Sequence, residues 1–294
     1  MNPKVVDIFS AIDSLNRTPT KVPITGAVRF PDWDGVNDHI QGIAPKNWTG
    51  DTQGALSGSS SDGGYIAAYV PSTVQGVSIW PNQPQDYDHG GGAQMLGDLM
   101  AFAVESDDDN DNAQVGIYNL ENPSAPVLKY WFTVGGRKAS AAAITNFTDS
   151  HTEKVLLATY DYDPRYVRFF LADYHDVHGD TNPFNQIYHY QGDAFGGDQY
   201  QNFALVTSAA GVIYLLAFRE NEELHVFEVQ SARNPFVITG LVRLATYTHW
   251  NDDADWRYGV GLQIVDAGSI QLWGTARDPS GDSDDYRIDL YRYS

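Results

Sequence analysis

From position 22 onward the chain alternates short apolar segments with turns, and three kinds of strand recur in a fixed order. Continuous apolar runs stand at 65–70, 99–104, 155–160, 212–218 and 270–276. Runs without polar interruption belong to strands covered on both faces. Each is followed by a strand with cleaner period-2 alternation, at 77–80, 115–120, 167–172, 224–229 and 287–293, and preceded by one rich in small residues, at 40–44, 92–96, 141–144, 203–207 and 259–265. We label these strands b, c and a of a unit. The b strands start at 65, 99, 155, 212 and 270, so three of the four intervals lie between 56 and 58 residues. An insertion at 45–64 separates a from b in the first unit. Fourth strands, d, are expected at 127–134, 184–191 and 236–247. The first unit lacks a convincing one because Pro81 and Pro84 interrupt it, and the fifth has none after its c strand. Ahead of the strands, Val5, Ile8, Phe9, Ile12 and Leu15 have helical spacing. They predict one short amphipathic helix over residues 4–15, packed on the outside of the domain.

A self-copy supplies the missing strand. Ile24-Thr25-Gly26-Ala27-Val28-Arg29-Phe30 matches Ile238-Thr239-Gly240-Leu241-Val242-Arg243-Leu244 at five of seven positions, 214 residues later. The second copy is the d strand of unit four, so the first is placed as the d strand of unit five. Pairing the two ends of the chain in one sheet leaves no open edge between first and last units. The pattern resembles an all-β, five-bladed β-propeller over residues 22–294, its ring closed by the N-terminal strand and preceded by an extension, 1–21, with the short helix. The resemblance is to an architecture: no WD dipeptide or kelch double glycine recurs. Two stacked β-sandwiches would leave the end-to-end echo unexplained.

Composition agrees, with 18 Tyr, 13 Phe and 7 Trp beside 27 Gly and 14 Pro, a turn-rich β profile. No cysteine is present, which removes disulfides, thiolate metal sites and a Cys nucleophile. The net charge of −20 argues against nucleic acid or an anionic membrane as partner. No apolar run approaches a membrane span. Asp7 and Asp13 break what would be the apolar core of a secretory leader, so the expectation is a cytoplasmic or released soluble protein. Nothing addresses its oligomeric state.

In this architecture the d–a and b–c loops share one face, and the acidity collects there. Asp32, Asp34, Asp38, Asp86 and Asp88 stand in d–a loops; Glu105, Asp107, Asp161, Glu220 and Asp278 open b–c loops. One-signed walls focus the field at a channel mouth, although Asp is also an ordinary turn residue. Aligned by their a strands, the units place His39, His89, Lys138, Gln199 and Tyr258 at the mouth, with Trp33, Tyr87, Arg137, Tyr200, Trp256 and Arg257 beside them. An aromatic, hydrogen-bonding rim around a concavity is where ligands usually bind.

The sharpest signal is the repeated pair Asp38-His39 and Asp88-His89. A histidine beside a carboxylate can move protons near neutral pH or ligate a divalent metal. It can equally bond a loop backbone. Candidate catalytic residues are therefore His39, His89, Asp38, Asp88 and Glu105; His39 and His89 double as candidate metal ligands. Candidate ligand contacts are Trp33, Asp34, Tyr87, Arg137, Lys138, Tyr200, Trp256, Arg257 and Tyr258. The three glycines after His89 allow close approach of backbone to a ligand or to packing at the axis. Asp107, Asp109 and Asp111 start like a calcium loop, but Asn112 and Tyr118 occupy the positions an EF-hand gives to Gly and Glu, and the flanks are strands. They stay as candidate calcium ligands in a hairpin loop. His175-x-x-His178 falls on the opposite face and reads as surface. No nucleophile elbow, P-loop or dinucleotide fingerprint occurs.

Three functions remain open. The first is one central site for a polar small molecule or glycan, with or without catalysis by the histidines and carboxylates; Asp34, Asp88, Glu105 and Asp161 are the candidates for a glycosidase pair. The second is a lectin-like propeller, and the third an interaction platform for a basic protein. Five-bladed propellers include both glycosidases and lectins, so architecture does not choose. Unlike mouth residues from unit to unit favour one central site over five repeated pockets.

Overall fold

The computed structural model describes residues 4–26, 39–46, 54–60, 63–70, 73–79, 89–105, 113–135, 139–161, 165–191, 199–248, 250, 254–275 and 287–294. These residues are mostly strand, with one α-helix. Strand β1 (Thr20–Gly26) comes first. Unit one then holds β2 (His39–Pro45), β3 (Gly54–Ser60), β4 (Gly63–Val70) and β5 (Thr73–Ile79). Unit two holds β6 (His89–Leu96), β7 (Leu99–Glu105), β8 (Gln114–Asn119) and β9 (Val127–Thr133). Unit three holds β10 (Ala139–Asp149), β11 (Thr152–Asp161), β12 (Tyr166–Asp173) and β13 (Asn185–Tyr190). Unit four holds β14 (Tyr200–Thr207), β15 (Ile213–Arg219), β16 (Leu224–Ala232) and β17 (Val237–Tyr247). Unit five has β18 (Val260–Ile264), β19 (Ile270–Thr275) and β20 (Arg287–Tyr293). Within units one to four, successive strands pair antiparallel.

The start of the chain pairs with its end: β1 runs antiparallel to β20, from Thr20 opposite Arg292 to Thr25 opposite Arg287. The echo in the sequence thus marks two outer strands, with Ile24 and Ile238 buried on each. Two parallel bridges stitch units together, Thr25 and Gly26 of β1 against Thr73 and Val74 of β5, and Ala141 of β10 against Gly92 of β6.

Unit one departs from the expected pattern. The run at 65–70 is its third strand and Thr73–Ile79 its fourth, because β3 lies within the segment read as an insertion. Gly-Ala-Leu-Ser-Gly-Ser-Ser carries no alternation, so it reads as a loop; small residues are what its place demands. A Cβ at Gly54 would stand 2.5 Å from the Ala44 carbonyl oxygen and 2.6 Å from the Tyr69 hydroxyl. Ser57 Oγ donates to the Gly91 carbonyl at 2.6 Å.

Among the described residues the buried apolar side chains form wedges between neighbouring units. Ile66, Ala68, Met100 and Phe102 join units one and two. Ala101, Val115, Leu157 and Phe170 join two and three; Ala158, Phe169, Leu215 and Phe227 join three and four. Leu216, Val226, Leu262 and Leu272 join four and five. Trp273 and Leu290 meet Ile43, Leu56 and Tyr65 between five and one. Each interior strand therefore has a wedge on both faces, which explains the uninterrupted apolar b strands.

The helix, α1 (Ile8–Asp13), is shorter than expected and contributes to this core. Asp7 caps it by accepting from the Phe9 and Ser10 amides at 3.0 and 3.3 Å. Ile8, Ala11, Ile12 and Leu15 enter the wedge between units four and five. Val5 ties the segment to both: its carbonyl accepts from Ala209, and the next amide, Val6, donates to Ala267.

The inner strands meet at a filled axis. Gln94 of β6 is 3% exposed. Its Nε2 donates to the Leu205 carbonyl at 3.0 Å, while Oε1 accepts the Ile144 and Leu205 amides at 2.9 Å. One side chain thus bonds units two, three and four. Nearer the start of these strands, Asn202 Nδ2 donates to the Gln41 carbonyl and Ser140 Oγ to that of Tyr200. A Cβ at Gly91 would meet the Ser140 carbonyl oxygen at 2.5 Å, and one at Gly92 would meet Asn202 Oδ1 at 2.3 Å. Those glycines permit axial packing.

Replacing Gln94 by Leu strands two buried amides and a carbonyl, each costing about 1–3 kcal/mol. We predict a loss of about 3–5 kcal/mol in urea unfolding and a fall of about 10 °C in melting temperature. A loss below about 1 kcal/mol would show that this side chain does not hold the axis.

Candidate functional site

The first residues of the inner strands face the loops of one end, and strand register defines what stands beside them. His39 lies opposite Ser59, His89 opposite Glu105, Ala139 opposite Asp161, Tyr200 opposite Arg219 and Val260 opposite Gly274. By register, His39, His89, Glu105 and Asp161 therefore stand at the same ends of their strand pairs. Units three and four start at Ala139 and Tyr200, one residue after the expected Lys138 and Gln199. Val260 follows the expected Tyr258 by two.

Asp161 is the best-defined charged group there. It is 1% exposed, and Arg168 Nη1 from β12 donates to its Oδ2 at 3.0 Å. The guanidinium stands 5.3 Å from the Tyr166 ring centroid. An arginine inside the apolar run Val167 to Phe170 is the sequence signal for this pair. Glu105 is half-buried at the end of β7.

In unit four, Tyr200 Oη lies 2.7 Å from Nδ1 of buried His225. His225 Nε2 stands 3.6 Å from Glu223 Oε2, and Glu223 pairs with Arg219. Tyr200 is fully buried and packs edge-on to Tyr160 at 5.5 Å. Trp256 is also fully buried, 5.4 Å from Trp250 and 6.2 Å from Tyr293. Neither ring offers a face to solvent, contrary to the expected aromatic rim. Both belong to inter-unit wedges, where burying a large ring removes more apolar surface from water than the rim would.

Arg257 and Tyr258 stay accessible. Arg257 Nη2 donates to Asp255 Oδ2 at 2.7 Å and Nε to Oδ1 at 3.1 Å; these bonds raise its pKa further above the ordinary guanidinium range. Its guanidinium stands 5.4 Å from the Tyr258 ring centroid. With Glu220, Asn221, Glu222 and Asp255, Arg257 lines a cleft of about 360 Å³.

Trp33, Asp34, Asp38, Tyr87, Asp88, Arg137, Lys138, Asp107, Asp109 and Asp111 lie outside the described residues. His39 and His89 are placed by their strands. Among the described residues no group of three or more His, Asp or Glu could hold a metal ion. No described helix is long and apolar enough to cross a membrane.

No protein family and no curated protein matches the chain by sequence. Solved structures resemble it. An exo-β-1,3-galactanase from Phanerochaete chrysosporium, determined with galactose, superposes with TM-score 0.51 at 13% identity over 92% of this chain. This chain spans 64% of that enzyme's length. A β-xylosidase/α-arabinofuranosidase from a compost microbial metagenome, in complex with xylotriose, gives 0.48 at 12% identity over 92% of this chain and 95% of its own. An α-L-arabinofuranosidase from Podospora anserina, in complex with cellotriose, gives 0.46 at 13% over 95% and 98%. The fold is a β-propeller. At such identities the likeness extends to the fold alone.

Within this propeller the buried Asp161–Arg168 pair makes a direct test of the rim. Arg168→Met removes the guanidinium from a buried carboxylate and is predicted to cost about 3–5 kcal/mol. Adding Asp161→Asn is predicted to restore at least half of that in chemical denaturation. Equal losses in the single and double variants would show that the two groups are not coupled.

Proposed function

We propose that the chain is a five-bladed propeller, closed by its N-terminal strand, that binds a glycan at one central site on the rim of His39, His89, Glu105 and Asp161. The observation that carries this reading is the register. It puts two carboxylates at equivalent positions of adjacent units, opposite His89 and Ala139, while the other units offer Ser59, Arg219 and Gly274. Five unlike positions suit one asymmetric ligand better than a repeated pocket. The cyclic series of five wedges supports the blade number and the closure. Ligand contacts are assigned to Trp33, Asp34, Asp38, Tyr87, Asp88, Arg137, Lys138, Arg257 and Tyr258.

The same arrangement supports hydrolysis of a glycosidic bond. Asp161, positioned by its ion pair with Arg168, is assigned as the base that activates water. Glu105, half-buried beside His89, suits the acid that protonates the leaving oxygen. The water's hydroxyl then joins the anomeric carbon as the glycosidic bond breaks, and its proton passes to Asp161.

The test is a panel of xylo-, arabino-, galacto- and gluco-oligosaccharides, read by calorimetry and by release of reducing ends. Wild type is expected to bind at least one class and to cleave it. Glu105→Gln and Asp161→Asn are each expected to lower turnover by about 10²–10⁴-fold, with Glu105→Gln still binding. Binding without cleavage would remove the catalytic part of the proposal; no binding to any class would remove the whole.

A further inference from the structure

The face opposite the rim carries a second polar cleft, of about 360 Å³, where the a–b turns of units three and four meet the end of β16. Asp149, Glu228 and Arg233 supply its charges. Asp149 is 6% exposed; its Oδ2 accepts the Phe236 amide at 3.2 Å, and its Oδ1 has no hydrogen-bond partner. An unmet oxygen on a buried carboxylate is unfavourable, and a ligand that brings a donor relieves it. Arg233 is fixed beside it. The guanidinium carbon lies 4.7 Å from the Phe147 ring centroid and 5.1 Å from that of Phe236. Nη2 donates to the Gly211 carbonyl at 2.8 Å and Nη1 to that of Thr148 at 3.4 Å. Of the guanidinium's N–H groups, Nε–H and one on each Nη remain to donate.

The charges select the ligand class. An anion attracted to Arg233 would meet Asp149 and Glu228; a cation attracted to the carboxylates would meet Arg233. A neutral molecule with a hydroxyl donor next to an oxygen acceptor satisfies both. We propose that this cleft binds the vicinal diol of a pyranose, one hydroxyl donating to Asp149 Oδ1 and its neighbour accepting from Arg233. Its volume lies at the small end of the ligand-pocket range and fits one sugar ring. The cleft shares no residue with the rim site, so it stands or falls independently of that reading.

The test is amide NMR on the ¹⁵N-labelled full chain, titrated to about 50 mM, the range of weak single-ring affinities. The probes are the methyl pyranosides of glucose, galactose, mannose and xylose, disaccharides ending in each, and tetrahydropyran-2-methanol. At least one pyranoside is expected to give saturable shifts at residues 148–150 and 210–212, with none from tetrahydropyran-2-methanol, which lacks the diol. Asp149→Asn and Arg233→Lys are each expected to weaken binding by about tenfold or more, since each removes or misplaces a charge-assisted hydrogen bond. Tighter binding of a disaccharide would assign the cleft to glycan ends, and equal binding to free sugars. Overturning results are wild-type amides at these positions that no pyranoside moves, or that tetrahydropyran-2-methanol moves equally.

Discussion

The structure depends on sheets that are apolar on both faces. A four-stranded sheet with two oily sides cannot rest against one partner, so each unit needs a neighbour on either side. Among the described residues, apolar clusters meet that need between neighbouring units. Polar bonds then set the angle between units where the inner strands converge. Gln94 is the clearest case, because one amide side chain satisfies buried backbone groups of two other units at once. Apolar burial supplies most of the stabilisation, while these bonds fix the mutual position of strands that packing alone would let slide.

That geometry has a functional consequence. Five strands starting together at one end bring residues distant in sequence onto one rim: His39, His89 and Asp161 come from three units. The rim rests on a packed axis, in which Ser140 and Asn202 bond across to Tyr200 and Gln41. The opposite end is built from short a–b turns and the N-terminal segment, and it offers a cleft of similar volume with different chemistry.

Much of the fold was legible because its physics is periodic. Uninterrupted b strands reported burial on both faces, and the repeated Ile-Thr-Gly-x-Val-Arg segment located the strand that pairs with the end of the chain. Strand β3 was missed because Gly54-to-Ser60 is selected for thinness, to fit against Ala44 and Tyr69, and thinness leaves no hydrophobic pattern. The site was less legible. Tyr200 and Trp256 were placed on the rim by their position in the chain, yet a residue next to the rim can turn into a wedge, and a large ring gains more by doing so. Arg168 and His225 were overlooked for the complementary reason: their polar ends matter through partners on neighbouring strands, which spacing along one strand does not reveal.

The most direct measurement of the central claim is hydrogen exchange on the full chain with and without a bound oligosaccharide. The account predicts slowed exchange at the inner-strand starts, residues 39–42, 89–92, 139–142 and 200–203, on at least three units together. Slowing confined to the outer strands β9, β13 and β17, or seen nowhere, would contradict it.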